Sequence, residues 1–519
     1  MASRKVDAWF LGLDLGTGSC KTVVVDERGR VLGFGSSEYA SDSSLGKWQE
    51  QDPNAVLNGM VLAARNAIEH AGELPGSCAG ISIGGALHSL MAVDAKGKPL
   101  TGLMTWADTR ATPQAKAFSQ TADASRLYQE TGCPMHGMYP LYKIRWLKDE
   151  RPEIFQKAAR FISAKEFVFS RLTDQYVVDY SVAAGSGLLN IHHLDWNPQS
   201  LDLAGIKLAQ LSMLADPKEI FEGIQPELAR RMGLSLKTRL VLGSSDAANS
   251  TLGAGSVSMH QATCMVGTSA ALRIITPRPI LDPVGRSWCY AIDRQHWLVG
   301  GSINNGGIAL SWLRDCLNRI SQASPSGQPL SFAELLEMAS QIPLGAQGLI
   351  CLPFFAGERS PNWNLDSRAV FFGLGLEHDA RHIVRAVLEG IAFRLMSLKE
   401  ILDEISGGVT EIRASGGFTH SNFWLQLVTD ALNCELVVPS WGETSSLGAA
   451  FWALLATGAL QNLDSIYDLI PVKGRLQPGA AEAQTYRLLY QFYCDLYQTV
   501  SPSFHALAEL KANFWEGIQ

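Results

Sequence analysis

The sequence contains no run of about 20 apolar residues, so nothing in it reads as a helix that spans a bilayer. It also lacks a basic excess: 43 Lys and Arg against 50 Asp and Glu leave a formal charge of -7. That excludes the electrostatic footprint of a nucleic-acid-binding protein. Nine cysteines, an odd number scattered from Cys20 to Cys494, form no CxxC pair. They read as buried thiols of a reducing, cytoplasmic compartment rather than a disulfide framework or a zinc site. The apolar run near the start is interrupted by Asp14 and is too short for a signal peptide. Low-complexity segments are missing too, SQASPSGQP (321–329) being the one linker-like loop. Neither a GxxxxGK[ST] loop nor a GxGxxG opening a helix is present.

What is there suits a well-packed enzyme. The chain has 519 residues, 46% hydrophobic and 18% charged, and its length predicts two large domains. FLGLDLGTGSCKTVVVDERG (10–29) predicts strands at 8–15 and 20–26 joined by the turn GTGS, with a third strand at 30–36. An acidic residue inside such an apolar strand is costly unless something pairs with it. Asp14 is therefore either part of a polar hairpin or an acid beside a metal or a transferred group. Residues 53–71 have helical spacing with Pro53 in the first turn, and 79–94 reads as strand, glycine turn, strand. Strands followed by helices predict an α/β fold.

A second pass begins near residue 240. RLVLGSSDAANSTLGAG supplies a strand, a turn with Asp246, then a helix, and ATCMVGTSAALRIITP (262–277) repeats the strand, Gly-Thr turn, strand pattern. ASGGFTHSNFWLQLVTDALN (414–433) passes from a strand at 411–414 into a helix from Asn422, with Leu425, Val428 and Leu432 on one face. The tail, 481–512, reads as helical with a break at Pro502. The degenerate repeat predicts two related lobes with a cleft between them, divided as 1–254 and 255–519.

Glycines let a backbone approach phosphate, whose oxygens then accept from exposed amides and a Thr or Ser hydroxyl. Turns at matching places in both lobes, with Gly416-Gly417 as a third, suit a nucleotide gripped by its phosphates. Asp246 is open to two readings. It caps a helix, or it is a general base that takes a proton from a hydroxyl attacking a phosphoryl group. His88 and Trp106-Ala107-Asp108-Thr109-Arg110 combine a ring, a carboxylate and a guanidinium suited to a polyol, although a lone histidine is more often a satisfied core residue.

MYPLYKIRWLKDE (138–150), with Pro140, Lys143 and Trp146, resembles the first signature of the FGGY carbohydrate kinases. AVFFGLGLEHDARHIVRAVLE (369–389), ending in Glu389, resembles the second. The order D-x-G-T, W-x-D-x-R, first signature, G-x-S-D-A, second signature, S-G-G is the family's order as well. The resemblance implies two ribonuclease-H-like lobes of the actin and hexokinase ATPase type around a central cleft, closing on ATP, Mg²⁺ and a sugar. It implies Asp246 as catalytic base, and Asp14 on the metal side across the cleft from it, each holding the metal directly or through water. Thr17, Gly18 and Ser19 correspond to the first phosphate loop, and Gly267 and Thr268 to the second. Gly306, Gly307, Gly416, Gly417 and Asn422 correspond to the adenosine region, and His88, Trp106 and Asp108 to the sugar side. Where many relatives read D-x-G-T-T-S, Gly18 replaces the second threonine, which implies a changed loop stiffness or one lost hydroxyl contact rather than lost catalysis.

SAKEFVFSRL (163–172), YVVDYSVAAGSGLLNIHHLDW (176–196), GGSINNGGIALSWLRD (300–315) and FFAGERSPNWN (354–364) are most similar to the gluconokinase branch. A gluconate carboxylate needs a cationic grip, for which Arg110, Lys143 and Lys165 are the candidates. The expectation is a cytoplasmic kinase of a small sugar or sugar acid, most simply D-gluconate, with no nucleic-acid or membrane partner; homodimers are common in the family. A ketopentose kinase and a non-catalytic actin-like nucleotide sensor are the alternatives. Retention of both Asp14 and Asp246, and the lack of a basic helix-turn-helix extension, disfavour the second.

Overall fold

The computed structural model describes residues 8–42, 48–74, 76–322 and 329–514, so most of the loop 321–329 lies outside the described residues. Two mixed sheets form the framework. The first uses strands β1 (Trp9–Leu15), β2 (Ser19–Asp26), β3 (Val31–Glu38), β4 (Cys78–Gly85), β5 (Ile220–Phe221) and β6 (Arg239–Val241), in the order β5-β6-β4-β1-β2-β3. The second uses β7 (Gln261–Val266), β8 (Ala270–Thr276), β9 (Trp288–Ala291), β10 (Trp297–Ile303), β11 (Glu411–Ser415), β12 (Glu435–Pro439) and β13 (Val472–Leu476), in the order β9-β10-β8-β7-β11-β12-β13.

The two sheets repeat one plan. β1 runs antiparallel to β2 and parallel to β4, as β7 runs antiparallel to β8 and parallel to β11. These are two ribonuclease-H-like lobes. β1 and β8 are buried along their whole length, which explains their nearly continuous apolar sequence. Each Gly-Thr turn is therefore a hairpin at the end of a central strand, and the duplicated sequence pattern is a duplicated structure.

Helix α1 (Pro53–Ala71) starts as its sequence dictates, with Pro53 in the first turn and Asp52 accepting from the Asn54 amide. Helix α2 (Asp246–Ala254) leaves the first lobe, and helix α3 (Thr444–Thr457) returns to it. These two helices cross backbone to backbone. A Cβ on Gly253 would stand 1.7 Å from the Thr444 carbonyl oxygen, and one on Gly448 1.8 Å from that of Asn249. Only glycine permits the crossing.

The tail differs from expectation. Helix α4 (Ala480–Phe514) runs straight through Pro502. Proline removes one amide donor and crowds one carbonyl, but packing holds both sides of the site. Phe504, two residues beyond it, is buried against Phe354 and Tyr497. All nine cysteines are free and seven are buried. Among the described residues no helix is long and apolar enough to cross a membrane.

Candidate active site

Asp14 ends β1, and Asp246 opens α2 after β6, so one strand, β4, separates their places on the first sheet. The expectation that the two acids face each other across the cleft is corrected: both belong to the first lobe. They occupy the carboxyl ends of two parallel strands that flank β4, where open α/β sheets bind ligands. Ser245 caps α2 by accepting from the Ala248 amide, and its hydroxyl meets that of Ser181 at 2.6 Å. Asp246 Oδ1 accepts from the amides of Ala247 at 2.8 Å and Leu87 at 3.2 Å. Both earlier readings of Asp246 meet here, since it sits in the first turn while Ser245 does the capping.

The carboxyl of Asp14 is pushed up to about 7, first by burial and then by the charge of Asp246. A hydrogen bond with Ser445, and then the charge of Lys21, ion-paired to Glu443 at 2.7 Å, oppose the shift. Burial also raises Asp246, while Arg273 and the two amides pull it back.

Asp246 lines a cavity of ≈ 160 Å³ with Leu87, His88, Trp106, Met138, Met265, Ser269, Arg273, Tyr290, Ser302 and Arg359 among its walls. His88, at a φ of 66°, turns its ring into the protein, where Nδ1 meets the Gly185 carbonyl at 2.6 Å. Burial drives its pKa down to about 3, so the imidazole is neutral. Trp106 reaches the first phosphate turn, its Nε1 donating to Thr17 Oγ1 at 3.2 Å. Arg359 lies over the Trp106 ring at 4.9 Å.

The three cations expected to grip a sugar carboxylate do other work. Arg110 is clamped by Glu50 at 2.5 Å and Asp108 at 2.8 Å, between the rings of Trp48 and Trp146. Lys143 donates to the carbonyls of His88 at 2.7 Å and Thr105 at 2.6 Å, and burial lowers its pKa to about 7. Lys165 pairs with Asp179 at 2.6 Å and reaches the Ser244 carbonyl at 3.3 Å. Asp108 is likewise removed from the cavity walls, since it holds Arg110 and accepts from the Gln49 amide at 3.0 Å. These four brace the loops that carry His88, Trp106 and Asp246.

That role sets an expectation for Lys165→Met. Asp179, fully buried, keeps only the amides of Ser181 and Val182. Stripping one partner from a buried pair costs about 3–5 kcal/mol. Urea unfolding should show that loss; a change below about 1 kcal/mol, the size of an exposed pair, would refute it.

The cavity's own cations are Arg273 and Arg359, which sequence reasoning did not select. They are 6% and 7% exposed, and in each the Nε has no hydrogen-bond partner. Among the described residues neither lies within ion-pair distance of a carboxylate. Burial lowers the pKa of both, and Asp246 opposes this at Arg273 as Glu358 does at Arg359.

The glycine turns fit phosphate. A Cβ on Gly18 or Gly417 would meet open space, so a ligand can approach both backbones. Ser19 closes the first turn by accepting the Gly16 amide at 3.0 Å. Gly306 and Gly307 donate to the carbonyls of Thr268 and Gly267 at 3.2 and 2.7 Å, bracing the second turn. Gly416 is required at its place because φ is 93° and a Cβ there would stand 2.5 Å from the Val266 carbonyl oxygen, a close approach that ties the third turn to the end of β7. Asn422 stands exposed at the start of its helix, Asn422–Leu432.

The acids also fit a divalent cation. Asp14 Oδ1 is buried with no hydrogen-bond partner, and the mutual repulsion of Asp14 and Asp246 is what a cation relieves. No three acidic, His or Cys side chains converge among the described residues. Two acids, one with an unpartnered oxygen, are a set that a divalent cation keeping most of its waters can use.

Two such lobes, with acids at the strand ends and glycine turns on both sides, make a phosphotransferase that acts on a hydroxyl acceptor. Residues 9–253 match the N-terminal domain of the FGGY family of carbohydrate kinases, and residues 262–457 its C-terminal domain. The chain belongs to that family. It is 37% identical to a gluconokinase of Bacillus subtilis over 97% of this chain and 98% of that one. Two solved structures, a gluconate kinase and a ligand-bound xylulose kinase from Lactobacillus acidophilus, each superpose with a TM-score of 0.90 at 32% identity over 96% of this chain. They are covered over 99% and 100% of their lengths.

Proposed function

We propose that the chain phosphorylates the terminal hydroxyl of D-gluconate to give 6-phosphogluconate, with ATP as donor and Mg²⁺ as the bound cation. The observation that carries this reading is Arg359, a buried guanidinium that with Arg273 lines a cavity whose one acid among the described residues is Asp246. A neutral ketose would leave the Arg359 guanidinium, buried and without an ion-paired carboxylate, short of a direct partner, which is costly. A ketopentose is the second reading, supported by the equal likeness to the xylulose kinase structure.

In this scheme Asp246 orients the hydroxyl and accepts its proton, its Oδ1 fixed by two amides so that the carboxylate does not swing. Neutral His88 and Trp106 flank the polyol. Asp14 would hold Mg²⁺, together with Asp246 directly or through water. Thr17, Gly18 and Ser19 would take phosphate oxygens from one lobe and Gly267 and Thr268 from the other. Gly306, Gly307, Gly416, Gly417 and Asn422 would bound the adenosine side. Bound MgATP supplies the electrophilic phosphorus and the charge neutralisation that phosphoryl transfer requires. The division at 254/255 separates a sugar-side lobe from an adenosine-side lobe on the same reading.

The test is ADP release across gluconate, xylulose, ribulose and glycerol. Gluconate should lead in kcat/KM by roughly 10⁴, the discrimination available to a site whose buried polar groups a wrong substrate leaves unpaired. A ketopentose leading the panel would overturn the proposal.

A further inference from the structure

We propose that Arg359 reads the substrate carboxylate and sets the choice of a sugar acid over a neutral sugar, whereas Arg273 positions the base and takes no part in that choice. This deepens the gluconate reading and rests on it. The two arginines are alike in burial but not in surroundings. Arg273 Nη1 donates to Ser250 Oγ at 2.7 Å and to the Ala247 carbonyl at 3.3 Å, both in the first turns of α2. Its main electrostatic partner is Asp246. A substrate carboxylate drawn to Arg273 would sit beside the base, with like charges opposed. Gluconate carries its carboxylate at the opposite end of the carbon chain from the hydroxyl it presents to Asp246, so the anion needs a different cation.

Arg359 meets that need. Its side chain makes one hydrogen bond, from Nη2 to the Ile303 carbonyl at 3.3 Å. Around it stand neutral His88, neutral His136 and the Tyr139–Tyr290 pair, whose hydroxyls meet at 2.8 Å. Glu358, next in sequence, is the main charge that offsets Arg359, but its carboxylate makes its ion pair with Arg394 and none with the Arg359 guanidinium. It accepts from Arg394 Nε at 3.3 Å, from the Asn304 amide at 3.0 Å and from the Arg359 amide at 2.8 Å. The backbone that carries Arg359 is pinned to β10, with the Ser360 amide on the Ser302 carbonyl at 3.0 Å. A fixed planar guanidinium with unused donors matches a carboxylate in two parallel hydrogen bonds. The buried, unpartnered Nε of this residue, which lines the same cavity as Asp246, supplies one of them.

The experiment compares D-gluconate with its neutral amide, D-gluconamide, in wild type, Arg359→Gln and Arg273→Gln, with Arg359→Lys in reserve should the glutamine variant fail to fold. Wild type should prefer gluconate by on the order of 10²-fold in kcat/KM, the scale of stripping the partner from a buried charge. Arg359→Gln should bring the two substrates within about threefold of each other, the loss appearing in KM. Arg359→Lys should keep part of the preference, as a charge without the fork. Arg273→Gln should keep the full preference and lower kcat for both substrates with KM little changed, the split expected when a residue that positions the base through the first turns of α2 is lost. The assignment falls if wild type does not distinguish the two compounds, if both Arg359 variants keep the full preference, or if Arg273→Gln abolishes it. A wild type that turns over a ketopentose better than gluconate overturns the substrate reading itself. A wild type that prefers gluconate, with the Arg359 variants unchanged, overturns only the role of Arg359.

Discussion

Asp246→Asn is expected to fold, to bind ATP, and to lose about 10²–10⁴-fold in kcat, the range in which a positioned general base contributes. Asparagine is isosteric, and its side-chain oxygen can still accept from the Leu87 and Ala247 amides. The loop should therefore keep its shape. What disappears is the basic oxygen. Burial holds the Asp246 carboxyl above the ordinary carboxylate range, with Arg273 opposing, so wild-type kcat should fall on the acid side as that group protonates. The asparagine variant should lose the part of the acid limb that belongs to that group, leaving any contribution from Asp14. Residual turnover within tenfold of wild type, with an unchanged acid limb, would remove Asp246 from the chemistry.

The second large effect concerns Asp14→Asn, which should abolish Mg²⁺-dependent turnover while making the metal-free protein more stable above neutrality. The carboxyl is pushed from 3.8 to about 7 by burial and by Asp246. At about 1.4 kcal/mol per pH unit this amounts to roughly 4 kcal/mol. Between pH 4 and pH 7 the folded protein binds the proton and the unfolded chain does not, so stability falls as pH rises through that window. Above it, the folded state carries the full burden of a buried, repelled carboxylate. Asparagine escapes that burden. In chelator, the variant should gain on wild type at pH 8 and match it near pH 4 in urea unfolding. Added Mg²⁺ should stabilise wild type and leave the variant unmoved. A variant less stable than wild type at pH 8 would mean that the hydrogen bond from Ser445 outweighs the cost of burying the charge.

The elements that sequence made legible share a cause: their signals are local. β1, its turn and β2 follow from apolar runs broken by glycine, and α1 from a cap, a proline and helical spacing. Asp14 stood out because a carboxylate in an apolar strand demands a reason. Arg273 raises the same question, since AALRIIT is an apolar strand with a cation inside it, and asking it would have found the cavity's wall. Arg110, Lys143 and Lys165 misled because a charge's partner is set by the fold. Glu50, the Thr105 carbonyl and Asp179 lie 60, 38 and 14 residues away from them. Arg359 was hidden for the converse reason. The adjacent Glu358 looks like its ion-pair partner, and only the fold reveals that the direct contact goes to Arg394. Pro502 shows the same limit, because a local helix breaker is overruled by packing on either side.

The crossing of α2 and α3 bears on how the protein is made. Phe10, Val23 and Val25 of the first sheet belong to the same hydrophobic cluster as Phe451, Ala453 and Leu454 of α3. On the other face, Leu11, Leu13 and Val24 pack with Ala63, Ala64 and Ala67 of α1. A ribosome therefore releases a first sheet covered on one side only, and the cover for the other side is among the later segments to emerge. The nascent chain must carry an open apolar face through synthesis of the entire second sheet, a contact of long sequence separation and hence slow to form. Biogenesis is thereby tied to the C-terminal half in a way that the division into two lobes conceals: expressed alone, the first 254 residues would have strands, turn and both acids, but only half a coat.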